Sequence, residues 1–199
     1  QGNPMHFSSK YIIQFIGLTA LFFNQLVFAD SFGIKLNEEM AEFSISGDNQ
    51  NLMEGSSGSL NFFYNEDKDY AGSLYLGVNG NPTGVGNFRL GIGAKFTGIY
   101  SDRLDDQFFA LGIGGQASLT LKTTYPMSIV FEVNYAPDIT TSKDMSSLIE
   151  STARIEVQII SKAKAFAGYR NYEFEHSKNN ASTDYELDDN IHVGVLLEF

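Results

Sequence analysis

Gln107-Phe-Phe-Ala-Leu-Gly-Ile-Gly-Gly-Gln-Ala-Ser-Leu-Thr-Leu121 alternates with a period of two. Phe109, Leu111, Ile113, Gly115, Ala117, Leu119 and Leu121 form one row, and Phe108, Ala110, Gly112, Gly114, Gln116, Ser118 and Thr120 the other. Successive side chains of a strand point to opposite faces, so this stretch is a strand with one oily face and one small or polar face. Which of the two faces looks inward decides the fold.

The same rhythm recurs along the chain. Residues 87–100 set Phe88, Leu90, Ile92, Ala94 and Phe96 against Arg89, Gly91, Gly93, Lys95 and Thr97, and residues 128–135 set Ile129, Phe131, Val133 and Tyr135 against Glu132 and Asn134. Phe32/Ile34/Leu36, Ala41/Phe43/Ile45, Leu60/Phe62/Tyr64, Leu74/Leu76/Val78 and Ile149/Ala153/Ile155/Val157/Ile159 mark five more segments, residues 164–174 a ninth and the terminal Asn190–Phe199 a tenth.

Ten such segments build either a soluble barrel with an oily interior or a transmembrane barrel with the faces reversed. The polar row carries Arg89, Lys95, Glu132, Glu150, Arg154, Glu156, Arg170 and Glu198, of both signs and interleaved with Gly, Ser and Thr. That composition suits a lumen where charges pair across a narrow space; a water-facing exterior carries many Lys and Glu and few Gly. Segments of about 9–11 residues match what a tilted strand needs to cross a bilayer. Phe62, Tyr64, Tyr70, Tyr100, Phe109, Tyr135, Tyr169 and Phe199 fall near segment ends, where interfacial aromatic girdles sit.

The reading is therefore an all-β, transmembrane, antiparallel up-and-down barrel of ten strands, with eight strands as the alternative if the beginning is not part of the wall. Ten strands leave a lumen close to plugged, since eight just hold their side chains and sixteen or more leave a channel. Connections of 177–189 and 137–147 are expected to be long and on the outer side, with short inner turns at 122–126 and 161–162; 47–58 is long on the inner side and departs from that asymmetry.

The terminus explains itself on this reading. Ile191, Val193, Val195, Leu197 and Phe199 form the lipid-facing row of the strand that closes the barrel on the first, so that no unpaired edge remains in hydrocarbon. A row ending on an aromatic resembles the signal by which the barrel-assembly machinery of outer membranes recognises its clients.

Ahead of the strands, Lys10 precedes an apolar run from Tyr11 to Phe23 and a small residue at Ala29, the layout of a secretory signal peptide, with Gln1–Pro4 as an upstream extension. Two units are expected: the leader over 1–29 and the barrel over 30–199. With 13 Lys+Arg against 24 Asp+Glu, the net charge of -11 opposes a nucleic-acid partner, and the absence of cysteine removes disulfides and Cys-based metal sites.

Tyr135-Ala136-Pro137-Asp138 followed by Thr141-Ser142, the strand 150–158, Gly168-Tyr169-Arg170 and the closing Val193-Gly194-Val195 through Phe199 resemble the YfaZ-type outer-membrane proteins. The resemblance covers the C-terminal third in motif order and the strand rhythm beyond it. It implies an outer-membrane barrel of a Gram-negative-type bacterium, in contact with membrane lipid and the assembly machinery, and supplies no catalytic residues. The chain departs from the pattern in its acidic stretch 184–189 and in its first hairpin.

Chemistry is sparse. Gly84-Val-Gly86 and Gly112-Ile-Gly114-Gly115 lack the spacing of a nucleotide loop before a helix. Glu175, His176 and Ser177 are the one candidate for a lipid-modifying rim site, and adjacent strand residues point apart. Asp67/Asp69, Asp102/Asp105/Asp106, Asp138/Asp144 and Asp184/Glu186/Asp188/Asp189 are placed on the outer side, where carboxylates could hold divalent cations, although solvated loop tips are the preferred reading. We expect no enzyme, no cofactor, no metal and a monomer: a structural envelope protein or a narrow pore for small polar solutes. A rim enzyme and a soluble apolar-ligand barrel are the alternatives.

Overall fold

The computed structural model describes residues 29–48, 54–82, 86–142, 144–178 and 181–199. The leader up to residue 28 and Gly84 of the first glycine run lie outside them.

Ten antiparallel strands, one after another in sequence, close into a barrel: β1 (Ser31–Leu36), β2 (Met40–Asp48), β3 (Ser56–Asn65), β4 (Tyr70–Gly80), β5 (Phe88–Ser101), β6 (Asp106–Leu121), β7 (Met127–Pro137), β8 (Met145–Ile160), β9 (Ala163–Lys178) and β10 (Ala181–Glu198). The strand count is ten, not eight. Closure joins β1 to β10 from Ser31↔Glu198 to Leu36↔Val193, which places Ser31 and Phe199 at one end, here the terminal end. Among the described residues no helix is long and apolar enough to cross a membrane, and a single 3-10 turn, Asp138–Thr140, lies between β7 and β8.

Turn chemistry fixes the far end. In the β1–β2 hairpin Asn37 Oδ1 accepts from the backbone N–H of Glu39 and Met40, both at 2.8 Å. Asn65 Oδ1 accepts from the Asp69 N–H at 2.9 Å in the β3–β4 turn, where Lys68 takes a φ of 62°. An Asn side chain that mimics a backbone turn is the usual device for such tight reversals.

The faces follow the alternation. Leu111 and Ile113 are 50% and 70% exposed on the outside, while Phe108, Ala110, Gly112 and Gly114 of the same strand are buried. Outward rows on the other strands carry Phe62, Ile92, Phe131, Val133, Ile155 and Val193, all exposed.

One expectation fails. The stretch 177–189 is not a long loop: β9 runs to Lys178 and β10 starts at Ala181, so the excursion beyond the wall is a paired hairpin. The other far-end connections are 37–39, 66–69, 102–105 and, carrying the 3-10 turn, 138–144, the longest of the four. Chain that a loop would have used is spent on strand, which satisfies the backbone internally.

A bulge between Glu186 and Asp188 turns this hairpin. Leu187 is the extra residue, and both it and Asp188 are buried. Above Val193, β10 no longer pairs with β1. Instead Arg103, from the β5–β6 turn, donates to the Glu186 carbonyl at 2.7 Å, and Asn65 donates to the Leu187 carbonyl at 3.1 Å. β5 lies five strands from β10 whichever way round the barrel one counts, so the hairpin crosses the far mouth.

Candidate functional site: a lumen closed at one end

Beneath the hairpin the inward rows are apolar. Met40, Phe63, Ile99, Phe108, Met145, Leu148, Tyr172, Phe174 and Leu187 pack together inside the wall. Phe174 stacks on Tyr185 with centroids 5.4 Å apart, and Phe108 meets Phe174 at 5.4 Å. These buried apolar side chains occupy the far half of the lumen, and packed protein interiors contain few voids larger than a water molecule. The all-polar interior expected from the sequence is thus confined to the other half of the lumen.

The boundary between the halves is Arg170, 1% exposed. Its guanidinium lies 5.1 Å from the Phe63 ring centroid and 4.5 Å from that of Tyr172, so the apolar plug and the cation share a surface. It donates to Glu42 at 2.6 Å, pairs with Glu150 at 3.2 Å and lies 3.9 Å from Asp188. Lys35 joins Glu42 at 2.9 Å, and Lys95 joins Glu150. Buried charges survive only when paired, and here two carboxylates bridge three cations.

Toward the terminal end, Arg154 holds Glu132 at 3.0 Å and Glu156 at 2.8 Å, and Lys164 holds Glu198 at 2.6 Å. A vestibule of about 570 Å³ opens from this belt to the terminal end. Ser31, Ser44, Ser46, Ser57, Ser59 and Asn61 form one wall, Gln116, Asn134 and Thr152 part of another.

Of the charged residues singled out in sequence, Lys95, Glu132, Glu150, Arg154, Glu156, Arg170 and Glu198 therefore meet in ion pairs inside the barrel. Arg89 stands on the same inward row at its terminal mouth, exposed. Lys35 and Glu42 were not singled out, and Asp188 was placed on the outer side and not in the lumen. The spacing of Lys35 and Glu42 around a turn was the available signal; Asp188 had none, because the bulge at Leu187 changes the face on which it falls.

The acidic residues assigned to outer loop tips need two corrections. Asp188 points inward, accepting from Asn37 at 2.8 Å, and Asp69 is 0% exposed, bound to Arg103 at 3.0 Å and to the Asp102 N–H at 3.0 Å. Both brace the far end of the wall. Among the described residues no group of three or more His, Asp or Glu could hold a metal ion.

The trio Glu175, His176 and Ser177 does not converge. His176 packs edge-on against Phe108 and Tyr185, with centroids 5.7 and 6.0 Å away, whereas Glu175 accepts from Ser182 and Ser147. The closing strand presents Ile191, Val193, Val195, Leu197 and Phe199 outward, and the Phe199 N–H donates to the Asp30 carbonyl at 3.0 Å.

A family model described as YfaZ precursor matches residues 13–199. No curated protein and no solved structure matches the chain.

Proposed function

The chain belongs to the YfaZ family, and from that membership together with the closed barrel we propose that it is an outer-membrane β-barrel of a Gram-negative-type envelope, with the vestibule facing the periplasm and the hairpin facing outward. The observation that carries the reading is the inside-out distribution of oil and charge. Leu111, Ile113, Val133 and Val195 are exposed around the outside, while Glu150, Glu156 and Arg170 are enclosed. A soluble barrel with those faces would leave a continuous apolar belt in water, far beyond the few hundred Å² that monomers tolerate.

The role that fits is structural: a monomeric envelope barrel whose lumen is blind in its resting form, in contact with membrane lipid and delivered by the barrel-assembly machinery through the row Ile191, Val193, Val195, Leu197, Phe199. A narrow pore for small polar solutes would require the Arg170 belt and the apolar plug to part. No catalytic step is assigned, since the rim candidates face different surroundings.

Membrane fractionation joined to planar-bilayer recording tests this. The protein should sediment with outer membranes, require detergent for extraction and give no discrete conductance steps. Recovery in detergent-free buffer would overturn the membrane reading, and a stable open conductance would overturn the blind lumen.

A further inference from the structure

The vestibule has features that a plain structural wall does not need. Tyr75 of β4 lies on bare backbone: a Cβ on Gly93 of β5 would come within 2.6 Å of its ring, and one on Gly77 within 2.7 Å. Two glycines therefore let the ring lie on the wall, with its other side toward the cavity it lines. The neutral part of the lining is hydroxyls and amides, among them Ser44, Ser46, Ser59, Asn61, Gln116 and Asn134, beside the paired charges of the belt.

The charges narrow the ligand class. Lys35, Lys95 and Arg154, the cations that line the cavity, are each held by a carboxylate within it, so no lining cation is left to receive an anion; Arg89 stands outside the lining, exposed at the mouth. At the mouth Asp30 and Asp48 repel anions further. What remains for recognition is neutral hydrogen bonding beside an aromatic face, which suits a molecule carrying many hydroxyls and a C–H-lined flank. About 570 Å³ falls in the range of 300–1,000 Å³ typical of small-molecule sites.

We propose that the vestibule is a binding site for a neutral saccharide-sized polyol entering from the terminal end, with Tyr75 as its stacking platform and the Ser44/Ser59/Asn61 wall as its hydrogen-bonding face. The inference rests on the blind lumen and not on the membrane location.

Equilibrium dialysis of the folded full chain in detergent micelles against labelled raffinose tests it, with an anionic sugar acid as the second probe. Raffinose should bind in the millimolar range. Tyr75→Leu should weaken it at least about tenfold, equivalent to ~1.4 kcal/mol, Tyr75→Phe should restore binding, and Ser59→Phe, which fills the cavity, should abolish it. Should Ser59→Phe fail to fold, Ser46→Phe takes its place nearer the mouth. Absence of raffinose binding, equal binding of the sugar acid, or binding indifferent to both Tyr75→Leu and the filling variant would each overturn the proposal. Because the assay needs no membrane, its failure is separate from a failure of the fractionation test.

Discussion

Arg170 donates to Glu42 at 2.6 Å across 128 positions of sequence, and that bond ties β9 to β2 through the middle of the lumen. Removing the cation leaves three buried carboxylates, Glu42, Glu150 and Asp188, facing two lysines. Arg170→Met should destabilise the barrel by about 3–5 kcal/mol, the cost of an uncompensated buried charge. Adding Glu42→Gln should recover part of it. Unfolding by urea in phospholipid vesicles reads both, and an additive double variant would show that the pair is not coupled.

The face assignment is tested on one strand. Leu111 points outward and Gln116 inward, where its amide donates to Glu132 at 3.2 Å. Leu111→Arg should cost up to about 2–4 kcal/mol if it lies near the bilayer midplane. Gln116→Arg places a cation beside an ionised belt and should cost less than Leu111→Arg. Equal costs in vesicle unfolding would contradict the inside-out distribution.

Gly168 and Gly72 separate crowded from open positions. A Cβ at Gly168 would meet the Ala153 carbonyl oxygen at 2.5 Å and the Arg154 Cα at 2.9 Å, both backbone that cannot step aside cheaply. A Cβ at Gly72 meets nothing within 4 Å. Gly168→Ala should therefore destabilise by about 1–3 kcal/mol, whereas Gly72→Ala should be neutral or stabilise by up to about 1 kcal/mol. Thermal melts of the two proteins side by side decide it; matching melting temperatures would refute the crowding.

The wall was legible because alternation with period two survives on nearly every strand, with one largely apolar face; β9, whose outward row carries Asn171 and Glu173, is the least regular. The plug was not. Phe63 and Phe108 sit on inward rows next to outward Phe62 and Phe109, so each strand becomes apolar on both faces near the far end. Doubled aromatics at the same end of β3 and β6 were the signal, hidden when each strand is divided into one oily and one polar row. The stretch 181–189 misled for the opposite reason. Its strand rises clear of the wall and needs no apolar outer row, so Asp184, Glu186 and Asp189 flank Tyr185 and Leu187 and read as a polar loop.

His192 offers a further test of how the interior tolerates polarity. Its ring is 1% exposed and meets Phe166 edge-on at 6.0 Å, and neither nitrogen has a hydrogen-bond partner among the described residues. A buried polar group without a partner costs about 1–3 kcal/mol. His192→Leu removes both nitrogens at similar volume and should raise stability by about that amount. A loss of stability would mean that the imidazole is held by an interaction these contacts do not include.

Closure of the far mouth depends on Arg103. One guanidinium reaches Asp69 at 3.0 Å, Asp67 at 3.5 Å and the Glu186 carbonyl at 2.7 Å, and lies 5.7 Å from the Tyr185 ring centroid. It thereby joins the β5–β6 turn, the β3–β4 turn and the crossing hairpin, whose edge has no strand neighbour above Val193. Hydrogen bonds to charged groups contribute about 1.5–3 kcal/mol each, and the Arg103 bond to the Glu186 carbonyl is the charged anchor of a segment held besides by its ladder with β9 and by Asn65 and Asn37. Arg103→Ala should speed amide exchange over residues 182–187 by about ten- to a hundredfold while exchange in β5–β8 stays slow. Arg103→Lys should fall between, because a point charge keeps the attraction to Asp69 but loses the planar fork. Uniform acceleration across all ten strands would make Arg103 a support of the whole barrel and remove its role as the latch of the hairpin.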